Sequence, residues 1–578
     1  MRFSQFTLDD YNDVYADRHR LQDVVTKWAK AKPKAVALLS ADGKRTVTWG
    51  EFDRVTAGLA REFLRLGFKK GDYLATVLPM TVDHVLLEYS CFKIGVIVAP
   101  LDLRLSVAEF TRVLEILRPR GFVSLGGNGP VDFSELWRAV KERCGWIEHL
   151  FTADSGDAVP GTHSFTSLAE RAWKAARSEA GTQDARADLP SVADVEVTED
   201  DGALVIFTTG STGSPKAALL SHRNITVQNM CMCGAIFGMD SGLRTLVHLP
   251  PSHVGCQTEM TMSTLFGGGS VVLLEAFDAA RTMRTVEQQR VQIFAQIPAM
   301  FSLVWMLKEY ERYDLSSVKI VAFGGNSVSR AFVEKVAAMA PIVATGLGLT
   351  ECAGFCTYLV DDSRDSEMLA GGVGMDMAVY PCTIREAMRE DGYAGSEMQA
   401  GEIGHVCFRG PQTFLGYVND PEATAKTISR DGFLYTGDMG YRNDAGLHLT
   451  GRAKWVIKSM GHQIFPGDVE AKIATLKEKV ANCVVVGVAH EVVGEGAVAL
   501  VEKKPDVVLN AQELDRHTRS LPAYMRPRHW IVLEPGKMPL NRVAKPDYLR
   551  AQEMAREEIA GLRSRGAWDS GYAKGGQE

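Results

Sequence analysis

Phe207-Thr208-Thr209-Gly210-Ser211-Thr212-Gly213-Ser214-Pro215-Lys216 follows an apolar run, Leu204 to Phe207, and the reading of the chain starts from this stretch. Its glycines let the backbone turn and expose successive N–H groups. Five hydroxyls add donors, and Lys216 supplies a positive point charge. Such a loop, delivered by a strand, makes a cradle for polyphosphate. The same composition also suits a solvated hairpin, because Ser, Thr and Gly dominate ordinary turns. A Walker loop is excluded: Pro215 separates Ser214 from Lys216, and Ala217 stands where that loop requires a hydroxyl. Gly-x-Gly-x-x-Gly, Gly-x-Ser-x-Gly and His-Glu-x-x-His are all absent, which removes the signatures of dinucleotide, serine-esterase and zinc-protease sites.

Around the loop, helical and strand patterns alternate. Residues 51–66 repeat apolar side chains at three- and four-residue intervals, predicting an amphipathic helix. Tyr73–Leu78, Val96–Pro100 and Val318–Phe323 are short apolar runs that predict buried strands. The alternation argues for α/β layers built on largely parallel sheets. Residues 152–200 are polar and predict a surface excursion, and Arg556–Glu578 reads as a charged helix running into a Gly-rich tail.

A chain of 578 residues has room for roughly 3 to 5 domains. With 46% hydrophobic and 23% charged residues it is an ordinary globular composition rather than a disordered one. Lysine and arginine total 64 against 71 acids, a net charge of −7. A chain of that sign gains no general attraction to nucleic acid or anionic lipid, so an anionic ligand must be held locally. The opening residues lack a basic stretch followed by an apolar one, and the most apolar segment, Val85 to Leu101, is interrupted by Glu88 and Lys93. We therefore expect no secretory signal, no membrane span and a cytoplasmic setting. The ten cysteines, with Cys231-x-Cys233 and Cys352-x3-Cys356 as the only close pairs, read as reduced thiols and not as disulfide or zinc frameworks.

TTGSTGSPK resembles the signature loop of the adenylate-forming superfamily, which comprises acyl-CoA synthetases, peptide-synthetase adenylation domains and luciferases. Further motifs resemble that family's in order: Pro250-Pro251-Ser252-His253, Gly324-Gly325-Asn326, Gly346-Leu347-Gly348-Leu349-Thr350-Glu351, Tyr435-Thr436-Gly437-Asp438, Gly451-Arg452-Ala453-Lys454, Lys458 through Glu470 (KSMGHQIFPGDVE), and Pro539 through Lys545 (PLNRVAK). The resemblance covers roughly residues 20–550. It implies an α/β fold: a large N-terminal body (1–453) of two α/β sheets plus a small β-barrel-like part, then a small, mobile α+β C-terminal domain (454–578).

The resemblance also implies roles. Thr208, Thr209, Gly210, Ser211, Thr212 and Gly213, with Lys216, would hold the ATP phosphates, and Thr212 and Glu351 would hold magnesium. Gly324, Gly325, Asn326, Gly346 and Thr350 would border the adenine. Asp438 would accept both ribose hydroxyls, and Arg452, fourteen residues on, would contact the nucleotide. His253 would position the acyl carboxylate. Lys545 would stabilise the pentacoordinate α-phosphorus as the carboxylate attacks. Lys454 would be the hinge about which the C-terminal domain turns to withdraw Lys545 and bring in Lys458, Gly461 and Gln463 for coenzyme A. Three positions depart from the usual pattern: Leu347 replaces a tyrosine, Trp455 an acidic residue and Ala544 a glycine.

The expected activity is ATP-dependent activation of a carboxylic acid through acyl-AMP, with transfer to CoA. A carrier-loading adenylation enzyme and a non-catalytic nucleotide sensor share the first motifs. No carrier domain is fused here, however, and a sensor needs neither Lys458 nor Lys545. Residues near 231–260, 323–326 and 347–356 are expected to line the acid pocket, including Cys231, Met232, Cys233, Cys256, Met260, Cys352, Phe355 and Cys356. Arg244 is the one lysine or arginine among them, so an apolar monocarboxylate (aliphatic, alicyclic or aryl) is expected. A homodimer is the association that the family suggests.

Overall fold

The computed structural model describes residues 5–126, 132–153, 159–177, 191–209, 215–325, 328–363, 365–460, 462–540 and 546–569. Two eight-stranded sheets carry residues before 453. In the first, the parallel strands Ile342–Thr345, Ile320–Phe323, Ile293–Gln296, Arg244–Val247, Ser270–Leu273 and Val36–Ser40 lie side by side. Antiparallel Leu359–Asp361 and Thr46–Thr48 close its two edges. Sequences such as IVAF at 320–323 are apolar at every position because helices cover both faces of a parallel sheet.

The second sheet runs Gly416–Tyr417, Pro215–Ser221, Gly202–Thr209, Ile97–Pro100, Tyr73–Val77, Gly121–Ser124, His149–Thr152 and His163–Ser164. Its first three strands are antiparallel and the others parallel. The phosphate-loop motif therefore joins two hairpin strands, with Thr208 opposite Lys216 and Thr209 opposite Pro215.

The strands expected at 73–78, 96–100 and 318–323 form as Tyr73–Val77, Ile97–Pro100 and Ile320–Phe323. The helix expected at 51–66 is Trp49–Arg65, started by a capping box between Thr48 and Glu51. Residues 152–200 differ from expectation. Helix Phe165–Arg177 buries Phe165, Leu168, Ala169 and Ala172, spaced as one helical face. That stripe was obscured by the polar residues surrounding it.

Cys382–Arg385, Gly404–Phe408, Leu434–Asn443 and Gly446–Arg452 form a four-stranded antiparallel sheet, the small β part of the body. Beyond it, Ile457–Ser459, His462–Ile464, Val480–His490, Gly494–Lys503 and His529–Leu533 make a five-stranded sheet packed with helices Pro466–Ala474, Ala511–Thr518 and Tyr548–Ser564. Two apolar clusters are built wholly from residues 457–568, and the three larger ones wholly from residues before 448. A buried carboxyl organises the smaller unit: Glu470 accepts the Tyr548 hydroxyl at 2.7 Å and the Val485 N–H at 2.8 Å. Among the described residues no helix is long and apolar enough to cross a membrane.

Helix Val82–Phe92 runs through the main core with every residue but Asp83 buried. His84 and Glu88 are among the buried ones. Gln257 Nε2 donates to Glu88 Oε1 at 2.6 Å, while His84 lies 3.0 Å from the Thr76 hydroxyl and 3.2 Å from the Pro79 carbonyl. Burial pushes the Glu88 pKa up to about 8 and the His84 pKa down to about 4, so both are neutral at pH 7. The unfolded chain ionises Glu88 above its ordinary 4.5 and the folded chain only above about 8. In that window the native state holds the extra proton, and Glu88 makes stability fall as pH rises. Urea unfolding of Glu88→Gln beside the wild type should show the variant gaining roughly tenfold in relative folding constant per pH unit across the window. A difference that does not change with pH would contradict the assignment.

Candidate active site

Gly324 and Gly346 follow the carboxyl ends of the neighbouring parallel strands Ile320–Phe323 and Ile342–Thr345, where α/β sheets hold their ligands. Past Gly346 the chain forms a short hairpin, Gly348 opposite Phe355 and Leu349 opposite Gly354. The Phe355 ring fills the space that side chains would need. A Cβ would approach it to 3.1 Å from Gly324, 3.2 Å from Gly346 and 2.8 Å from Gly348. At Gly346 a Cβ would also stand 2.1 Å from the Thr357 carbonyl oxygen, so no other residue fits there without moving the hairpin. Gly325 has φ +90°, which favours glycine for its backbone alone. Leu347 is buried in the main core, with its N–H donating to the Thr357 hydroxyl at 3.0 Å.

Thr350 and Glu351 open the next turn. Glu351 Oε1 accepts the Tyr417 hydroxyl at 2.6 Å. The Lys216 ammonium stands 5.0 Å from the Tyr417 ring centroid, within cation–π reach. Tyr417 is placed by the pairing of Gly416–Tyr417 with Pro215–Ser221, and by Phe414, whose N–H donates to the Glu351 carbonyl at 3.0 Å. Burial and the Glu351 charge push the phenol pKa well above its ordinary range, fixing it as the donor. Gln412 adds two bonds of 2.7 Å to the carbonyls of Cys352 and Phe355. Segment 411–418 thus ties the hairpin that carries Lys216 to the turn that carries Glu351. Tyr417 and Gln412 carry no local motif, and only the strand pairing reveals them.

Asp438 and Arg452 are cross-strand partners, joined by an ion pair of 2.8 Å from Nε to Oδ1. Asp438 is 5% exposed, and its Oδ2 is buried without a hydrogen-bond partner among the described residues. A buried carboxylate oxygen left open this way is a strong acceptor awaiting donors. Burial raises the Asp438 pKa, Arg452 opposes that, and the Glu351 charge adds to it, so the two carboxylates share one electrostatic neighbourhood.

His253 is exposed, with Nδ1 accepting the Gly255 N–H at 3.0 Å, which leaves the ring proton on Nε2. Close by, Gly255–Met262 winds as a π-helix and presents Glu259 toward the Gly348 and Gly354 backbone. Glu259 went unnoticed in the sequence because no motif surrounds it. The pocket lining expected from Cys231, Met232, Cys233, Cys256, Met260, Cys352 and Cys356 is instead ordinary interior: all seven belong to the main core. Arg244 spends its guanidinium on the Gln289 carbonyl, at 2.6 Å.

In the C-terminal unit Lys458 and Gln463 are cross-strand partners and both are exposed. The Lys458 N–H donates to Glu495 Oε2 at 2.8 Å. The Lys454 ammonium lies 4.9 Å from the Trp455 ring, and Trp455 packs on Tyr548 with centroids 5.4 Å apart. The aromatic at this departure from the family pattern thus belongs to the C-terminal unit's surface. On either side of residues 541–545, Leu540 bridges Pro546, and the Asp547 N–H donates to the Pro539 carbonyl at 2.8 Å. Thr209's side chain and residues Gly210, Ser211, Thr212, Gly213, Asn326, Gly461 and Lys545 lie outside what the structure describes.

Replacing Arg452 by Met would leave Asp438 without its counter-charge and raise its pKa further. AMP affinity, measured calorimetrically from about pH 5 to 8, should weaken about tenfold and fall off toward acid at a higher pH than in the wild type. Unchanged affinity and pH profile would contradict the assignment of Asp438 as a ligand acceptor.

The AMP-binding enzyme model matches residues 25–418, and the AMP-binding enzyme C-terminal domain model matches residues 468–545. A feruloyl-CoA synthase of Amycolatopsis sp is 29% identical over 490 residues, covering 84% of this chain and 89% of that one. The 3-[(3aS,4S,7aS)-7a-methyl-1,5-dioxo-octahydro-1H-inden-4-yl]propanoyl:CoA ligase of Rhodococcus jostii is 28% identical over 479 residues, covering 81% and 86%. Among solved structures, a Mycobacterium tuberculosis fatty acyl CoA synthetase shares the fold with a TM-score of 0.71 at 23% identity, covering 94% of this chain and 99% of that one. With glycine-lined strand ends, a buried acceptor at Asp438 and both family models matched in order, the chain belongs to the AMP-binding enzyme family.

Proposed function

We infer that this chain is an AMP-forming carboxylate–CoA ligase. The observation that carries the reading is the convergence of Lys216, Tyr417, Glu351 and the ion-paired Asp438 beside bare strand ends, in a chain that has acyl-CoA ligases among its relatives. A carboxylate oxygen attacks the α-phosphorus of ATP, pyrophosphate leaves, and acyl-AMP forms. The CoA thiol then attacks the acyl carbon and AMP departs with the electron pair of the broken C–O bond. Adenylation turns a poor leaving oxygen into a good one, dividing one hard step into two easier ones.

Residue roles follow from chemistry. Asp438 Oδ2 accepts from the ribose hydroxyls, with Arg452 keeping the carboxylate ionised. Thr208 through Gly213 and Lys216 take the departing phosphates, while Gly324, Gly325, Asn326, Gly346 and Thr350 border the base. His253 Nε2–H orients the attacking carboxylate. Lys545, a point charge on a flexible stem, meets the negative charge that builds on the α-phosphate.

Glu351 and Thr212 would hold magnesium, a cation that takes few protein oxygens, and it would neutralise charge on the phosphates. The separate apolar cores on either side of residue 453 support a rotation about Lys454 between half-reactions, which removes Lys545 and brings Lys458, Gly461 and Gln463 to the thiol. All ten cysteines are unbridged, in keeping with a cytoplasmic enzyme.

The two half-reactions give the test. Lys545→Ala should lower acid-dependent ATP–pyrophosphate exchange by about 100-fold or more, the scale of losing one transition-state charge partner. Lys458→Ala should leave exchange within about threefold while CoA-dependent AMP release falls about 100-fold. Full exchange in Lys545→Ala, or equal losses of both steps in Lys458→Ala, would contradict the assignment.

A further inference from the structure

The second sheet has a topological switch point that the ligase reaction does not use. From Tyr73–Val77 the chain passes to Ile97–Pro100 on one side, then crosses back to Gly121–Ser124 on the other, with all three strands parallel. Helix Val82–Phe92 packs in the main core, and Val107–Leu117 packs in a separate core with the alternate residues of the same strands. Helices that leave for opposite faces part the loops at the strands' carboxyl ends, and the crevice between them is where such sheets hold ligands. Here a chamber of about 370 Å³ occupies it, bordered by Leu78 and Leu125, the residues just past two of those strands. Leu273, which ends a strand of the first sheet, forms another wall. Two strands separate that one from Ile320–Phe323, so the chamber lies about 14 Å along the sheet from Gly324.

Apolar side chains dominate the chamber: Leu78, Val82, Leu125, Phe165, Ala169 and Leu273. Two of its acids are already answered. Arg45 pairs with Asp83 through both terminal guanidinium nitrogens, and Arg281 pairs with Glu275 at 3.1 Å. Arg45, Glu170 and Trp173 also line an adjoining, wider cleft of about 670 Å³, to which Lys174 and Arg177 contribute. Glu170, Trp173, Lys174 and Arg177 recur at intervals of three and four on helix Phe165–Arg177, so one face presents them together. Lys174 and Arg177 are exposed, and they outnumber the single acid Glu170. The Arg177 guanidinium stands 4.8 Å from the Trp173 ring and 3.8 Å from Glu51, a distance at which an exposed pair contributes little. Arg54 adds a further cation at this helix end, donating to the Ala176 carbonyl at 3.1 Å.

An apolar chamber that opens beside cations selects its ligand by two properties at once. A neutral hydrocarbon leaves the cations unanswered, a free inorganic anion gains nothing from the chamber, and a cation is repelled. An organic anion with a ring-sized apolar body satisfies both parts, because its body leaves water while its charge stays near Lys174 and Arg177. We propose that this crevice binds a small amphipathic organic anion, its apolar body among the strand ends and its carboxylate or sulfonate against Lys174 and Arg177. The site shares no residue with the ligase assignments and does not depend on them.

The test uses the full-length protein and two dyes that differ only in charge: anilinonaphthalene sulfonate, and phenylnaphthylamine, the same body without the sulfonate. Fluorescence titration of the wild type should show a saturable sulfonate site that weakens as salt is added. Lys174→Glu/Arg177→Glu, changed only at exposed positions, should bind the sulfonate about tenfold more weakly and hold the neutral dye within about threefold. Ala169→Phe, which fills the chamber, should weaken both dyes about tenfold or more. Urea midpoints close to that of the wild type show that the variants are folded, and the charge variant decides the matter if Ala169→Phe is not. Equal sulfonate affinity in the wild type and the charge variant, or equal loss of both dyes in that variant, would overturn the proposal. Either result leaves acid-dependent pyrophosphate exchange, and with it the ligase reading, untouched.

Discussion

The hydrogen bond from Tyr417 to Glu351 is the contact on which the proposed nucleotide site depends. Its two ends come from different sheets: Tyr417 pairs with the strand that carries Lys216, while Glu351 follows the strand ends of the first sheet. The phenol is held protonated by burial and by the acid it serves, so the bond persists through the working pH range. Around it stand a cation on the tyrosine ring, backbone amides and the Gln412 clamp. Lys216 and the acidic turn are thereby brought together despite a separation of more than a hundred residues in sequence.

Electrostatics sharpen that site without help from net charge. The chain is acidic overall, yet ATP and CoA are anions. The proposed roles rely on local devices: Lys216 at the hairpin, Arg452 beside Asp438, and Lys458 exposed on its own hairpin. Asp438 shows the principle most clearly. It is buried with one oxygen paired and the other without a partner among the described residues, an arrangement costly for folding alone and sensible where a ligand supplies the missing donors.

What could be read from the sequence follows the reach of local chemistry. Gly346 and Gly324 were legible because a glycine whose Cβ would meet a carbonyl oxygen at 2.1 Å or a ring at 3.1 Å leaves its mark in a short motif. Buried parallel strands announced themselves as unbroken apolar runs. Helix Phe165–Arg177 was lost behind its polar flanks, and the Met and Cys residues near 231–260 looked like pocket lining when they are core. Tyr417, Gln412 and Glu259 were invisible for a different reason. Each acts across more than fifty residues of chain or through burial, and neither property is encoded in neighbouring letters.

If the Tyr417–Glu351 bond is what joins the two halves of the site, removing only its hydroxyl should impair adenylation and spare the fold. Acid-dependent ATP–pyrophosphate exchange by Tyr417→Phe is therefore the most direct measurement. A hydrogen bond to a charged group is worth about 1.5–3 kcal/mol, so exchange should fall about 10- to 100-fold with the unfolding midpoint of the body little changed. Exchange at the wild-type rate would show that Glu351 holds its place without the phenol and would contradict this account.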